Sequence, residues 1–213
     1  MAQYDNVNDL YADIQKYVDR NESSFTNFIP VWVNQVENEL DRRLRHPAAE
    51  VISTYTVQAG YNNIPAPTEL LELKSIRSRA TNEILYRRSY EVLYEIQNES
   101  KYAIRFASVS NRYYLDKTVD EDVVYEVIFY TAPAKLSSTN SNNFYLAVVP
   151  DVLLYLSLEA AFIYDGQPDQ AAYWRSMAET QLALLNEQID RESYQGSTLV
   201  PWQNNERNNY YYS

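Results

Sequence analysis

The sequence predicts an α+β fold: an antiparallel helical bundle that carries an inserted small β-rich module and ends in an extended C-terminal tail. Three observations predict it. Apolar residues recur at helical spacing near both ends of the chain, at a period of two in the middle, and with no regular period beyond Gly196. The 213 residues, 46% of them hydrophobic, suffice for one core with an insertion. The expected organisation is residues 1–47 for the N-terminal helices, 48–139 for the β-rich insertion, 140–195 for the C-terminal helices and 196–213 for the tail.

Val7, Leu10, Tyr11, Ile14, Tyr17 and Val18 share one face of a helix over residues 6–20, and Asn6 with Asp9 can cap its first turn. Phe28, Ile29, Trp32, Val33, Val36, Leu40 and Leu44 continue the period in a second helix, which follows a looser turn from Ser23 and ends at His46-Pro47. Pro30 fits near its start, where a helix makes no use of the missing N–H. Arg42, Arg43, Arg45 and His46 crowd its last turn, where cations complement the negative end of the helix dipole. That reading is preferred to an anion site, and Arg42, Arg43 and Arg45 are also candidate subunit-interface cations.

The period then becomes two. Val51, Ser53, Tyr55 and Val57 share a strand face, as do Tyr102, Ile104 and Phe106, and Val123, Tyr125, Val127 and Phe129 form the clearest strand. Gly60, Asn62 and Asn63 mark a turn, residues 64–74 a tight connection leading into a strand over 73–78, and Ser89 the cap of a short helix over 90–96. After the polar stretch 137–143, a helix over 150–164 has proline at its start and Gly166 just past its end. Pro168 opens a long helix with Ala171, Trp174, Ala178, Leu182, Leu185 and Ile189 on one stripe and Glu179, Glu187, Asp190 and Glu192 facing away.

Composition argues against catalysis. One histidine and no cysteine leave no Ser/His or Cys/His nucleophile pair and no thiolate zinc site, and three glycines cannot build a phosphate loop. The expectation is a chain that is not an enzyme and takes no cofactor or metal. A net charge of −11 repels nucleic-acid phosphates and anionic membranes, so the expected partners are proteins. The most apolar stretch, 148–163, is interrupted by Pro150, Asp151 and Glu159, so no membrane span is expected, and an N-terminus without signal-peptide features points to synthesis in the cytoplasm.

Four other features bear on function. The acidic turn 116–122, with Asp116, Asp120, Glu121 and Asp122, reads as solvated and not as a calcium loop, because it lacks the central glycine and the final glutamate. Carboxylate pairs such as Glu37 with Asp41 or Asp151 with Glu159 are expected by chance among 29 acidic residues. The 21 tyrosines suit cores and protein interfaces. The tail carries Leu199, Val200, Trp202, Tyr210, Tyr211 and Tyr212, apolar anchors costly to leave in water, and reads as a segment that docks on a partner.

Three stretches in order carry a resemblance: Ile64-Pro65-Ala66-Pro67-Thr68-Glu69-Leu70-Leu71-Glu72-Leu73, then Ile128-Phe129-Tyr130-Thr131-Ala132-Pro133 with Leu136-Ser137, then Pro150-Asp151-Val152-Leu153-Leu154-Tyr155-Leu156-Ser157-Leu158-Glu159-Ala160-Ala161, with Trp174 following. Over most of residues 1–190 the chain resembles the head-to-tail adaptor, or connector, proteins of tailed phages, especially those found beside tail tubular proteins in short-tailed phages. The resemblance implies a virion structural protein at the head-to-tail junction. It implies a ring, commonly dodecameric, that joins the portal at the capsid vertex to the tail nozzle or tubular protein, with tail fibres as a further partner. Double-stranded DNA would pass through without specific binding, and the tail would be the portal anchor. An acidic lumen suits such passage, since like charges do not stick. The competing readings are a monomeric peptide-binding or regulatory module with a tyrosine-rich surface, and a carboxylate hydrolase.

Overall fold

A computed structural model describes residues 4–95 and 98–194, with side chains described through Arg191. The fold is α+β. Helix α1 spans Val7–Val18, α2 Ser23–Thr26 and α3 Ile29–Arg43; strands β1 to β7 span Glu50–Val57, Asn63–Pro65, Leu70–Ser78, Tyr86–Arg87, Arg105–Val109, Arg112–Leu115 and Val123–Thr131; and α4, α5 and α6 span Phe144–Val148, Pro150–Tyr164 and Pro168–Tyr194.

Local chemistry sets the helix ends. Asn6 accepts the Asn8 N–H at 2.8 Å while the Asp9 carboxylate accepts the Asn6 N–H at 3.2 Å, a reciprocal cap on α1. The expected loose turn from Ser23 is one helical turn, α2, which buries Phe25. The second helix ends earlier than expected: α3 stops at Arg43, and the His46 ring accepts the Ala48 N–H to cap a short 3₁₀ turn over Pro47–Ala49. Helix α4 escaped the sequence reading, and Asn143 caps it by accepting the Leu146 N–H at 3.1 Å.

Helix α5 is apolar on all sides, so the bundle folds around it. It buries Val152, Leu153, Leu154, Leu156, Leu158, Ala161 and Phe162, and packs against α1, α3, α4 and α6. Its one fully buried polar side chain, Ser157, donates to the Leu153 carbonyl at 2.7 Å. Gly166 then takes a left-handed conformation, φ 74°, and the chain reverses into α6. Ala171, Ala178 and Leu182 are buried against the bundle, with Trp174, Leu185 and Ile189 partly so.

The middle of the chain forms two sheets that share a second buried cluster. In the first sheet, β7 lies between β1 and β3, antiparallel to both, with Tyr55 opposite Tyr125 and Ser78 opposite Tyr125 on the other side. The alternation expected of β7 is complete, with Val123, Tyr125, Val127 and Phe129 all buried. The second sheet runs β2, β6, β5, β4, and β4 is parallel to β5. Tyr102 and Ile104 precede β5 instead of sharing a strand with Phe106, and the connection expected over residues 64–74 contains both the end of β2 and the start of β3.

The short helix expected over residues 90–96 does not form: Tyr90 to Glu95 are turns, and Ile96 lies outside the described residues. Leu93 and Glu95 bond only three residues back, both at 3.3 Å. Meanwhile Tyr94 is drawn onto the sheet, its hydroxyl accepting from Asn62 and donating to the Leu115 carbonyl. That tether competes with helical winding.

A methyl group added at Gly166 meets no atom within 4 Å, so Gly166→Ala tests the backbone alone. It should cost about 1 kcal/mol, read as a lower urea midpoint with an unchanged slope. No loss would show that the α5–α6 turn tolerates a side chain in the left-handed region.

Candidate functional site

Two carboxylates on the inner face of α3, Glu37 and Asp41, are buried, and the chain leaving β7 is wrapped onto them. Glu37 accepts the Leu136 N–H at 3.2 and 3.3 Å through its two oxygens, and the Asn143 amide at 2.5 Å. One turn on, Asp41 accepts the Tyr145 hydroxyl at 2.6 Å and pairs with Lys135. Asn140 closes the strap by donating to the Ala134 and Lys135 carbonyls, at 3.1 and 2.9 Å. The carboxylates that composition assigned to chance therefore hold residues 134–145 against the bundle. Their partners are structural donors from the returning segment.

Burial raises the Glu37 carboxyl above the ordinary glutamate range, against the lowering effects of Leu136, Asn143 and Lys135, while the charge of Asp41 adds to the rise. Burial and then the Asp41 bond likewise push the Tyr145 hydroxyl far up, so it is a permanent donor.

The three candidate cations have separate fates. Arg43 bonds Glu39 at 2.7 Å on its own helix and Glu179 of α6 at 2.8 and 2.5 Å, which locks α3 to α6. Arg175 extends the network to Glu39 at 2.9 Å and Glu159 of α5 at 3.2 Å. Burial would raise Glu39, but the hydrogen bonds from Arg43 and Arg175 outweigh it and hold the carboxyl below its usual range. Glu179, expected to face away from the bundle, is half-buried in this network. Arg45 caps the end of α3 by donating to the Asp41 and Leu44 carbonyls at 2.7 and 2.9 Å, and reaches Glu72 of β3 at 2.6 Å. Arg42 is exposed and makes no ion pair among the described residues.

Leu199, Val200, Trp202, Tyr210, Tyr211 and Tyr212 all lie outside the described residues. The acidic turn is less solvated than expected: the Asp116 carboxylate is buried, pairs with Arg105 at 3.4 Å and accepts the Ile104 N–H at 3.1 Å. Asp122 accepts the Ala59 N–H and Glu121 binds Lys101, so these two also staple the module. Among the described residues no group of three or more His, Cys, Asp or Glu is placed to hold a metal, and no helix is long and apolar enough to cross a membrane.

The tyrosines divide between core and surface. Tyr113, Tyr125 and Tyr145 are buried, and burial pushes the Tyr125 hydroxyl up to about 12. Tyr17, Tyr86, Tyr164 and Tyr173 are at least half exposed. Tyr164 clusters with Phe25, Phe28 and Trp32 at one end of the bundle, with ring centroids 5.3 to 6.0 Å from it. Tyr17 meets Trp174 edge-on at 5.4 Å on another face. Paired, half-exposed rings of this kind are what protein interfaces use.

A bundle with a sheet insertion, bound by ion pairs and edged with aromatic clusters, is a scaffold for contacts. Residues 5–201 match the SU10 adaptor protein family. The chain belongs to that family. It is a phage adaptor-type protein, and its family is a structural one. No curated protein matches the adaptor.

Two expectations follow for the adaptor. Glu37→Ala leaves the Leu136 N–H and the Asn143 amide without their acceptor in a buried site and should cost roughly 2–4 kcal/mol. Because the folded-state carboxyl of Glu37 titrates above its unfolded value, its contribution is whole below the ordinary glutamate range and is lost as pH rises through the raised value. Glu37→Gln removes that dependence, so its melting temperature should gain on the native chain's as pH rises from about 4. A difference constant in pH would refute the assignment. Separately, the Arg43–Glu179 pair should show a coupling of roughly 0.5–1 kcal/mol in a double-alanine cycle that shrinks at high salt. A coupling that salt leaves untouched would rule out a solvent-screened pair.

Proposed function

We propose that the chain is a virion structural subunit whose copies form a ring, dodecameric in the reading we favour, between the portal at the capsid vertex and the tail or nozzle, with double-stranded DNA passing through it. The observation that carries this reading is the adaptor-family match over residues 5–201. Mechanism is then binding, with no bond made or broken. The paired aromatic clusters supply faces for neighbours, and the ion-pair network from α3 to α6 keeps those faces rigid. The apolar tail, with Leu199, Val200, Trp202 and the final tyrosines, is the proposed portal anchor, and Arg42 the candidate cation for a subunit contact. The formal charge of −11 per copy, multiplied around a ring, gives a conduit that repels phosphate and does not hold it. The ring site is the head-to-tail junction of the virion.

Purified protein mixed with portal rings should give a ring-on-ring complex visible by electron microscopy. A chain ending at Gly196 should keep the fold and bind the portal weakly. Undiminished binding by the shortened chain would remove the tail from the mechanism, and a persistent monomer without portal affinity would favour a peptide-binding module.

A further inference from the structure

Nine of the 18 cations of this acidic protein are spent internally at or near its surface. Arg20, Arg43, Arg45, Lys74, Arg79, Lys101, Lys135, Arg175 and Arg191 all pair with carboxylates of the same chain. Arg87 and Arg88 are consecutive, exposed and without an ion pair among the described residues, although Glu83 and Glu91 are close in sequence. They line a shallow depression of about 510 Å³ together with Ser89, Val92 and Ser108.

The backbone there is also open. Strand β4 is the outer strand of its sheet, held to β5 by the Tyr86 N–H to Ile104 and the Arg88 N–H to Phe106, at 2.9 and 2.8 Å. Strand alternation turns the Arg87 peptide group away from β5. The edge is flanked by Tyr86, 68% exposed, and by Tyr90, whose ring is fixed edge-on against Tyr94 and Tyr114 at 6.0 and 5.4 Å. An open strand edge with two unspent arginines and flanking tyrosines combines residue types that dominate interface energetics.

We propose that the β4 edge, centred on Arg87 and Arg88, receives an acidic segment of a second copy of this chain. Charge complementarity selects the occupant. Each copy carries 29 acidic against 18 basic residues, so a neighbour always presents surplus carboxylates. Arginine forks bind carboxylates through paired hydrogen bonds. A closed ring also needs a heterologous contact, in which one patch meets a different patch on the next copy. Duplex DNA is the weaker fit, because neutralising two phosphates supplies only a small part of what non-specific duplex binding draws on. The inference rests on the ring reading and names the part of the subunit that closes the ring.

The test compares full-length native protein with R87E/R88E and R87K/R88K by sedimentation velocity and electron microscopy across salt concentrations, with circular dichroism and melting temperature to confirm the fold. Native rings should loosen as salt rises. R87E/R88E should raise the concentration for half-assembly by roughly tenfold or more, with R87K/R88K intermediate. Native protein that assembles neither alone nor on portal rings would sink the ring reading itself. Native rings with an R87E/R88E variant that assembles equally well would sink this inference alone. Unchanged assembly together with duplex-DNA binding that R87E/R88E abolishes would assign the edge to nucleic acid and overturn the proposal.

Discussion

The buried pair of carboxylates on α3 is the constraint on which the architecture depends. A helical bundle interrupted by a sheet must bring the chain back to the bundle at a defined place, and here the return is fixed by Glu37 and Asp41. Each is removed from water and each is satisfied by donors from the returning segment: Leu136, Asn143, Lys135 and Tyr145. A buried carboxylate left without partners is severely unfavourable. The same groups that seat the strap therefore penalise any arrangement in which it sits elsewhere. Apolar packing of Leu136, Tyr145 and Leu146 into the bundle core adds the driving force, and the polar bonds add the position.

Charge is used twice in this molecule, with different consequences. Around α3, α5 and α6 the arginines face carboxylates of their own chain and hold three helices in register. At the β4 edge they pair with none among the described residues. Partly exposed pairs of the first kind contribute modestly to stability because water and salt screen them, but as a linked network they restrain how the helices slide. A pair of the second kind has no carboxylate partner among the described residues, which leaves its charge for contacts outside the chain.

What the sequence disclosed was what local chemistry determines. The Asn6 and Asp9 cap, the alternation of β7, and the proline and glycine that bracket α5 are written within a few residues of where they act. Elements of four or five residues were not legible. Helix α4 is too short to show a period, and the β5–β6 turn uses Ser110 at φ 51° where a glycine would have announced it. The turns over residues 90–95 were misread because Ser89 looks like a cap, whereas the Tyr94 hydroxyl answers to Asn62 and Leu115 across the sheet. The strap was invisible for a related reason: Leu136 lies 99 residues from Glu37, and nothing in either neighbourhood names the other. The one signal on hand was the polar stretch 137–143 followed at once by aromatic and aliphatic residues, a segment with hydrogen bonds to place and apolar surface to bury.

Helix α5 is packed by its neighbours along most of its length, with Ile163 and Tyr164 exposed at its C-terminal end. Upstream of those two residues the helix has little face to offer a partner, and its sequence answers mainly to packing. Contact surfaces are thereby displaced to the rim: the outer faces of α3 and α6, the aromatic end around Tyr164 and the edges of the two sheets. Residues there can change without disturbing the hub, and the hub can be kept without dictating what is bound. The molecule separates the part that must stay the same from the part that is free to follow a changing neighbour.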